Sequence, residues 1–286
     1  MAIDYKELKK GGFMRQKQKD CFSMRLKCVG GHFTAEQLGV VQKVAEQFGE
    51  GYVHLTSRQG IEIPFIKAKD IDAVKKTLAD GGVEVGVCGP RVRTITACQG
   101  NAVCPSGLID TARIAKEFDK RYGGRVLPHK FKFGFTGCHN NCLKAEENDM
   151  GIKGGMLPKW NRASCIYCGV CEAVCQYGAI RVEKKSKEVI FSKDACVFCG
   201  RCAKSCPTDA WQGEIGFVIS FGGLYGNRIA VGENFLPIVF EESKLYEIVD
   251  VALDFFEKHA KPGERFRNML DRVGWEMFQN AVKAVL

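Results

Sequence analysis

The chain has 286 residues, enough for about two domains and for a core that does not depend on metals as staples. Hydrophobic residues make up 45% and charged residues 26%, ordinary proportions that exclude a disordered, collagen-like or membrane-embedded chain. The formal net charge of +9 suits an anionic partner such as nucleic acid or anionic groups held within the fold, and the cysteines below favour the second.

The first twenty residues lack the apolar stretch of a secretory signal, and no run approaches the roughly 20 apolar residues of a membrane span. The expected compartment is therefore the cytosol. There thiols stay reduced, and the 15 cysteines read as metal ligands or catalysts before disulfides.

In chain order, the basic segment 6–20 is either an arm reaching a second chain or a frayed end. Residues 22–87 read strand (22–29), helix (35–48), strand (52–58), strand (61–66), helix (70–79) and strand (83–87), a β-α-β-β-α-β half-domain. Thr34 and Gln37 form a capping box for the first helix, and Leu38, Val41, Val44, Ala45 and Phe48 stripe one face of it. A second α/β region follows Pro90, with strand 91–98, helix 111–122 and strand 129–135. Period-two alternation in that last strand sets Lys130 and Lys132 on one face and Phe131, Phe133 and Phe135 on the other. Strand, glycine-rich turn and strand resume at 216–232, and a helix over 244–260 carries Leu245, Ile248, Val249, Ala252 and Phe256 on one side.

Between these lies a repeat offset by 31 residues, CIYCGVCEAVCQYGAI from Cys165 and CVFCGRCAKSCPTDAW from Cys196. Cys165, Cys168, Cys171 and Cys175, then Cys196, Cys199, Cys202 and Cys206, follow the bacterial ferredoxin run, in which the fourth cysteine ligates the other cluster. One cluster would take Cys165, Cys168, Cys171 and Cys206, the other Cys196, Cys199, Cys202 and Cys175. Zinc sites use two pairs rather than two runs of four. Gln176 replaces the motif's proline, which puts the local turn in question but no ligand. Such cubes carry about two negative charges each, which the surplus of lysine and arginine offsets. Cys98, Cys104, Cys138 and Cys142 are spaced for a further four-thiolate site, zinc or cluster. Cys21, Cys28 and Cys88, and His32, His54 and His259, match no motif.

ACQGNAVCP, GCHNNC, TSRQG at 56–60 and HKFK at 129–132 together resemble the siroheme-dependent sulfite and nitrite reductases over nearly the whole chain, closest to the small anaerobic and dissimilatory-type catalytic subunits that carry a ferredoxin insert. The fold this implies is α+β. It comprises a ferredoxin-like half-domain over 1–88, a siroheme/[4Fe-4S]-binding α/β domain over 89–157 and 213–286, and an inserted bacterial-type 2[4Fe-4S] ferredoxin module over 158–212. The resemblance implies that Cys98, Cys104, Cys138 and Cys142 hold a third [4Fe-4S] cluster and that Cys142 bridges it to the siroheme iron. It matches Arg58, Arg93, Lys130 and Lys132 to the family's substrate-binding cations, and Asn140, Gly222, Gly223 and Arg228, less closely, to macrocycle contacts.

The activity implied is six-electron reduction of sulfite to sulfide. Nitrite reduction to ammonia on the same fold, or an electron-transfer or siroheme-carrying subunit without turnover, are the alternatives. Arginine cannot give up its proton whereas lysine can, so Lys130 and Lys132 are read as proton donors and Arg58 and Arg93 as anion binders. No GxGxxG fingerprint or P-loop is present. Electrons must then come from an external ferredoxin or a flavin and iron–sulfur subunit. Larger family members contain two copies of each domain about a pseudo-twofold, so a homodimer, or pairing with a homologous or electron-donating subunit, is expected, with one active site drawing on both chains.

Overall fold

The capping box closes as the residues dictate: the Gln37 N–H donates to Thr34 Oγ1 at 3.1 Å, and the Thr34 N–H donates to Gln37 Oε1 at 3.0 Å. In this computed structural model, which describes residues 4–286, the first region contains α1 (Tyr5–Lys10), β1 (Phe13–Arg15), β2 (Cys21–Arg25), α2 (Ala35–Phe48), β3 (His54–Leu55), β4 (Ile61–Lys67) and α3 (Ile71–Asp80). The strands form one antiparallel sheet in the order β1-β2-β4-β3. Val41, Val44 and Ala45 of α2 and Val74 and Leu78 of α3 bury against Met24, Ile63 and Ile66.

Three expectations for this half are corrected. The basic N-terminus is not a frayed end: Asp4 caps α1 by accepting the Lys6 and Glu7 N–H groups, and Phe13 is buried in the core. Its strand takes the edge of β2, pairing Phe13 with Met24 and Arg15 with Phe22. Residues 83–87, expected there as a strand, keep a single bridge between Val85 and Leu26. The strand over 52–58 shrinks to β3, because the chain turns at Thr56, whose Oγ1 accepts the Gly60 N–H at 3.0 Å.

The second sheet holds β5 (Thr96–Ala97), β6 (Phe133–Thr136), β7 (Met150–Trp160) and β10 (Trp211–Phe221), in the order β10-β7-β6-β5. β5, β6 and β7 run parallel, and β10 pairs antiparallel with β7 along its length, from Trp211 opposite Trp160 to Phe221 opposite Met150. Helix α4 (Thr111–Tyr122) links β5 to β6; α7 (Glu242–His259), α8 (Phe266–Val273) and α9 (Trp275–Lys283) complete the region. Phe131, Phe133 and Phe135 are fully buried, with Phe118 of α4 packed edge-on to Phe133 and Phe135 at 5.5 and 4.8 Å.

β7 escapes the sequence reading because Gly151, Gly154, Gly155 and Pro158 dilute its strand signal. The glycines serve close approach: a Cβ at Gly154 would run into the Gly137 carbonyl, beside Cys138. The expected strand 91–98 narrows to β5 plus single bridges at Arg91 and Val92. Helices α8 and α9 likewise lie outside the elements that the sequence pattern predicts.

At the far end of the β7–β10 stem, residues 161–210 form a small unit with α5 (Val170–Ala173), the hairpin β8 (Ile180–Glu183) and β9 (Glu188–Phe191), and α6 (Arg201–Lys204). Its core is Cys171, Ile180, Cys202 and Trp211. The repeat is structural as well as sequential. Left-handed backbone recurs at Tyr167 and Phe198 (φ 54° and 57°), at Gly169 and Gly200 (86° and 70°), and at Gly178 and Asp209 (65° and 52°). Gln176 therefore leaves the turn after Cys175 like its partner after Cys206. Phe118→Ala should lower the unfolding free energy by about 3–5 kcal/mol, read from the urea midpoint; a loss under about 1 kcal/mol would show that this aromatic cluster does not hold the second region together.

Candidate active site

The loop 56–60 leaves the first sheet and docks on the second. Gln59 imitates a strand neighbour of β5, accepting the Ala97 N–H at 3.0 Å and donating to the Ala97 carbonyl at 2.8 Å. This clamp delivers Arg58, whose Nη1 donates to Asn148 Oδ1 at 2.7 Å and Nη2 to the Thr94 carbonyl at 3.3 Å. Arg93 comes from the segment before β5: its N–H donates to the Phe131 carbonyl at 2.8 Å, and its Nη1 to the Val87 carbonyl at 3.3 Å. With Phe131 and Phe133 facing the core, Lys130 and Lys132 point the opposite way. All four cations line one cavity of about 270 Å³.

Burial among like charges shows in their acidities. Burial, and after it Arg93 and Arg265, press Arg58 down to about 10. Burial followed by Arg58 presses Lys132 down to about 8, and burial followed by Arg265 and Arg93 lowers Lys130. The Arg93 Nε is buried without a hydrogen-bond partner among the described residues, and burial lowers Arg93 as well.

Arg58 and Lys132 also line an adjoining cavity of about 420 Å³ that holds Cys142, Asn148 and Tyr225. Two other thiols of that set sit at the carboxyl ends of parallel strands, where open α/β sheets place ligands. Cys98 follows β5 and Cys138 follows β6, and Cys98 Sγ accepts the Gly137 and Gly100 N–H groups at 3.0 and 3.4 Å. Asn140 and Arg228 are exposed and line neither cavity. Gly222 and Gly223 form a buried turn, and a Cβ at Gly223 would meet the Glu146 and Asn148 carbonyls; the turn supports the Asn148 segment.

In the repeat unit, one small cavity is lined by Cys165, Cys168, Cys171 and Cys206, and a second by Cys175, Cys196, Cys199 and Cys202. The second lies next to the Cys98 set: His139 Nε2 and Tyr177 Oη are 2.6 Å apart, and Lys204 Nζ donates to the Pro105 carbonyl at 3.1 Å. Cys168 is exposed at the other end. Sequence reasoning missed Asn148, Asp149 and Arg265, which stand behind the cations; the dipeptide Asn-Asp before a strand carries no motif that would single it out.

The family described as the nitrite and sulphite reductase 4Fe-4S domain matches residues 88–286, and the nitrite/sulfite reductase ferredoxin-like half domain matches residues 14–81. The chain is 32% identical over 259 residues to the coenzyme F420-dependent sulfite reductase of Methanocaldococcus jannaschii, covering 90% of this chain but only 41% of that protein. It is 31% identical over 307 residues to an anaerobic sulfite reductase subunit of Salmonella typhimurium, covering 99% of this chain and 90% of that one. Dissimilatory sulfite reductase I shares the fold, with a TM-score of 0.74 at 19% identity over 92% of this chain and 69% of that chain. With a half-domain that carries Arg58 docked on a 4Fe-4S domain that carries the other cations and the cysteines, the chain belongs to the nitrite and sulphite reductase family.

Proposed function

We propose that this chain reduces sulfite to sulfide at a siroheme tied through Cys142 to a [4Fe-4S] cluster, fed by two further clusters in an inserted ferredoxin module at 158–212. The observation that carries the reading is the cavity lined by Arg58, Arg93, Lys130 and Lys132, which shares Arg58 and Lys132 with the adjoining cavity that Cys142 lines. A purely electron-carrying subunit would have no use for four cations around an open cavity. Sulfite is preferred to nitrite because two relatives that match along nine-tenths or more of the chain bear the name sulfite reductase.

The residues fit these groups. Among the described residues no three His, Cys, Asp or Glu side chains are grouped to hold a single metal ion. A zinc site would bring its sulfurs within about 4 Å of one another, from Zn–S bonds near 2.3 Å, whereas a cube spreads them. Burial raises the Cys138, Cys171 and Cys196 thiols and pushes Cys202 up to about 12. Iron would supply the positive charge their anions lack. The indole N–H groups of Trp160 and Trp211 are buried without hydrogen-bond partners among the described residues, and Trp211 lines the Cys165 cavity, as a donor to sulfur would. Cys98, Cys104, Cys138 and Cys142 would hold the third cube. Bound beside it, siroheme would supply a low-potential centre at which the anion is reduced.

The protein's own share is electrostatic. Arg58 and Arg93 hold the anion and donate to its oxygens. Lys130 and Lys132 hold protons where oxygen leaves as water, and a lysine near 8 is a far better acid than an ordinary one. Electrons enter at the exposed Cys168 end from an external donor, a ferredoxin or a flavin and iron–sulfur subunit. Clusters held by the Cys196 and Cys98 sets would supply the rest of the electron path. Since cations and Cys142 meet within one chain, a site shared between two chains is not required by the geometry, and association with a second copy or a donor subunit serves electron supply and stability.

Anaerobically purified protein should contain about thirteen irons per chain, twelve in three cubes and one in the macrocycle, with a tetrapyrrole extractable into acidified solvent. With one low-potential donor it should turn over sulfite faster than nitrite; the reverse preference would make it a nitrite reductase, and an iron-poor, colourless protein would leave no redox enzyme. Lys130→Met or Lys132→Met should cut turnover by about 10²–10⁴-fold with the siroheme spectrum retained. Turnover should also fall as pH rises through about 8, where Lys132 loses its proton.

A further inference from the structure

Behind the cation-lined cavity lies a fully buried carboxylate, Asp149. Its Oδ2 accepts the backbone N–H of Lys132 at 3.0 Å, in the place where a strand neighbour's carbonyl would stand. Arg265, from the turn entering α8, reaches both of its oxygens, at 3.1 and 3.3 Å. The Asp149 carbonyl accepts the Gly222 N–H at 2.8 Å, so the turn at 222–223 locks the backbone of the carboxylate. Next to it, Asn148 accepts from Arg58 and donates to the Ala145 and Lys144 carbonyls. Two consecutive residues thus anchor two of the four cations, one through its side chain and one through its main chain.

We infer that Asp149 is a positioning residue for Lys132: its buried carboxylate seats the lysine at the head of β6 and, balanced by Arg265, sets the charge felt behind the cavity. The inference rests on the proposed role of Lys132 as a proton donor, and extends it to groups that touch no substrate. The charged groups that act most on Lys132 are Arg58 from the docked loop, Lys130 just before it, Arg265 from the turn before α8, and Asp149 from the segment before β7; Arg25 and Arg93 line the same cavity, and Lys144 and Glu147 the adjoining one. Arg58, Lys130 and Arg265 disfavour the ammonium form and Asp149 favours it. Burial pushes the Asp149 carboxyl up while Arg265 and Lys132 pull it down, and both of its oxygens lie within hydrogen-bond distance of the single Arg265 nitrogen Nη2, a charge-assisted contact that favours the anion.

This arrangement gives opposite signs for two substitutions. Asp149→Asn keeps the size and the acceptor for the Lys132 N–H but removes the negative charge, so Lys132 gives up its proton at lower pH. Arg265→Gln removes a positive charge and leaves the carboxylate facing Lys132, so the proton is kept to higher pH. The measurement is competitive labelling of the holoenzyme with acetic anhydride across a pH series, with Lys132 acetylation quantified by peptide mass spectrometry.

The midpoint should move down by about one unit in Asp149→Asn and up by about one unit in Arg265→Gln, tenfold each in the protonation equilibrium, with the alkaline limb of turnover following. Unmoved midpoints, or shifts of the same sign, overturn the inference. If Asp149→Asn does not fold, Arg265→Gln decides alone: a rise supports the inference, and no change or a fall overturns it. Because labelling does not depend on turnover, opposite shifts in a protein that reduces neither sulfite nor nitrite would retain Asp149's role and reject the proposed reaction.

Discussion

Crowding cations around a cavity is unfavourable, and the structure is organised around meeting that cost. Arg58, Arg93, Lys130 and Lys132 share a poorly solvated space, and burial, with their mutual repulsion after it, makes Arg58 and both lysines more acidic than usual. Arg58 and Arg93 are held by carbonyls and an amide, Lys132 by the anchoring of its own main chain, and the compensating carboxylate is placed behind them where it cannot compete with an incoming anion. A site built this way suits the anion proposed for it, whose binding would relieve repulsion already present.

The same economy appears on the thiol side. Cys98 and Cys138 follow parallel strands that pair directly, so the ladder between β5 and β6 fixes their spacing. The β7–β10 stem then does two jobs. Its inner end carries Asp149 and the 222–223 turn that support the cations, and its outer end carries the cysteine repeat between Trp160 and Trp211. One ladder therefore links the outer thiols, the inner thiols and the cationic cavity.

Much of this is legible in the residues. The helices at 35–48 and 111–122 are set by capping and by a single apolar stripe, signals that are local and hence survive folding unchanged. The alternation of phenylalanine and lysine before β6 likewise names both the core and the cavity face, because period-two alternation follows from the pleat alone. Where the sequence pattern overextends strands, at 52–58 and 91–98, the chain is spent on loops that dock one region on the other. That choice depends on Gln59 finding the edge of β5, which no window of sequence contains.

What the sequence by itself determined is the set of ingredients: the cysteine runs, their 31-residue offset, the cationic residue types and the family to which their spacing points. Tertiary structure alone decided that Arg58 crosses from one sheet to the other, that the N-terminal strand displaces the one expected at 83–87, and that Asn148, Asp149 and Arg265 stand behind the cavity. The physical reason is range. Capping, periodicity and ligand spacing act within a few residues and leave a local mark, whereas a buried carboxylate is placed by partners up to 116 positions away, and only the packed chain brings them together.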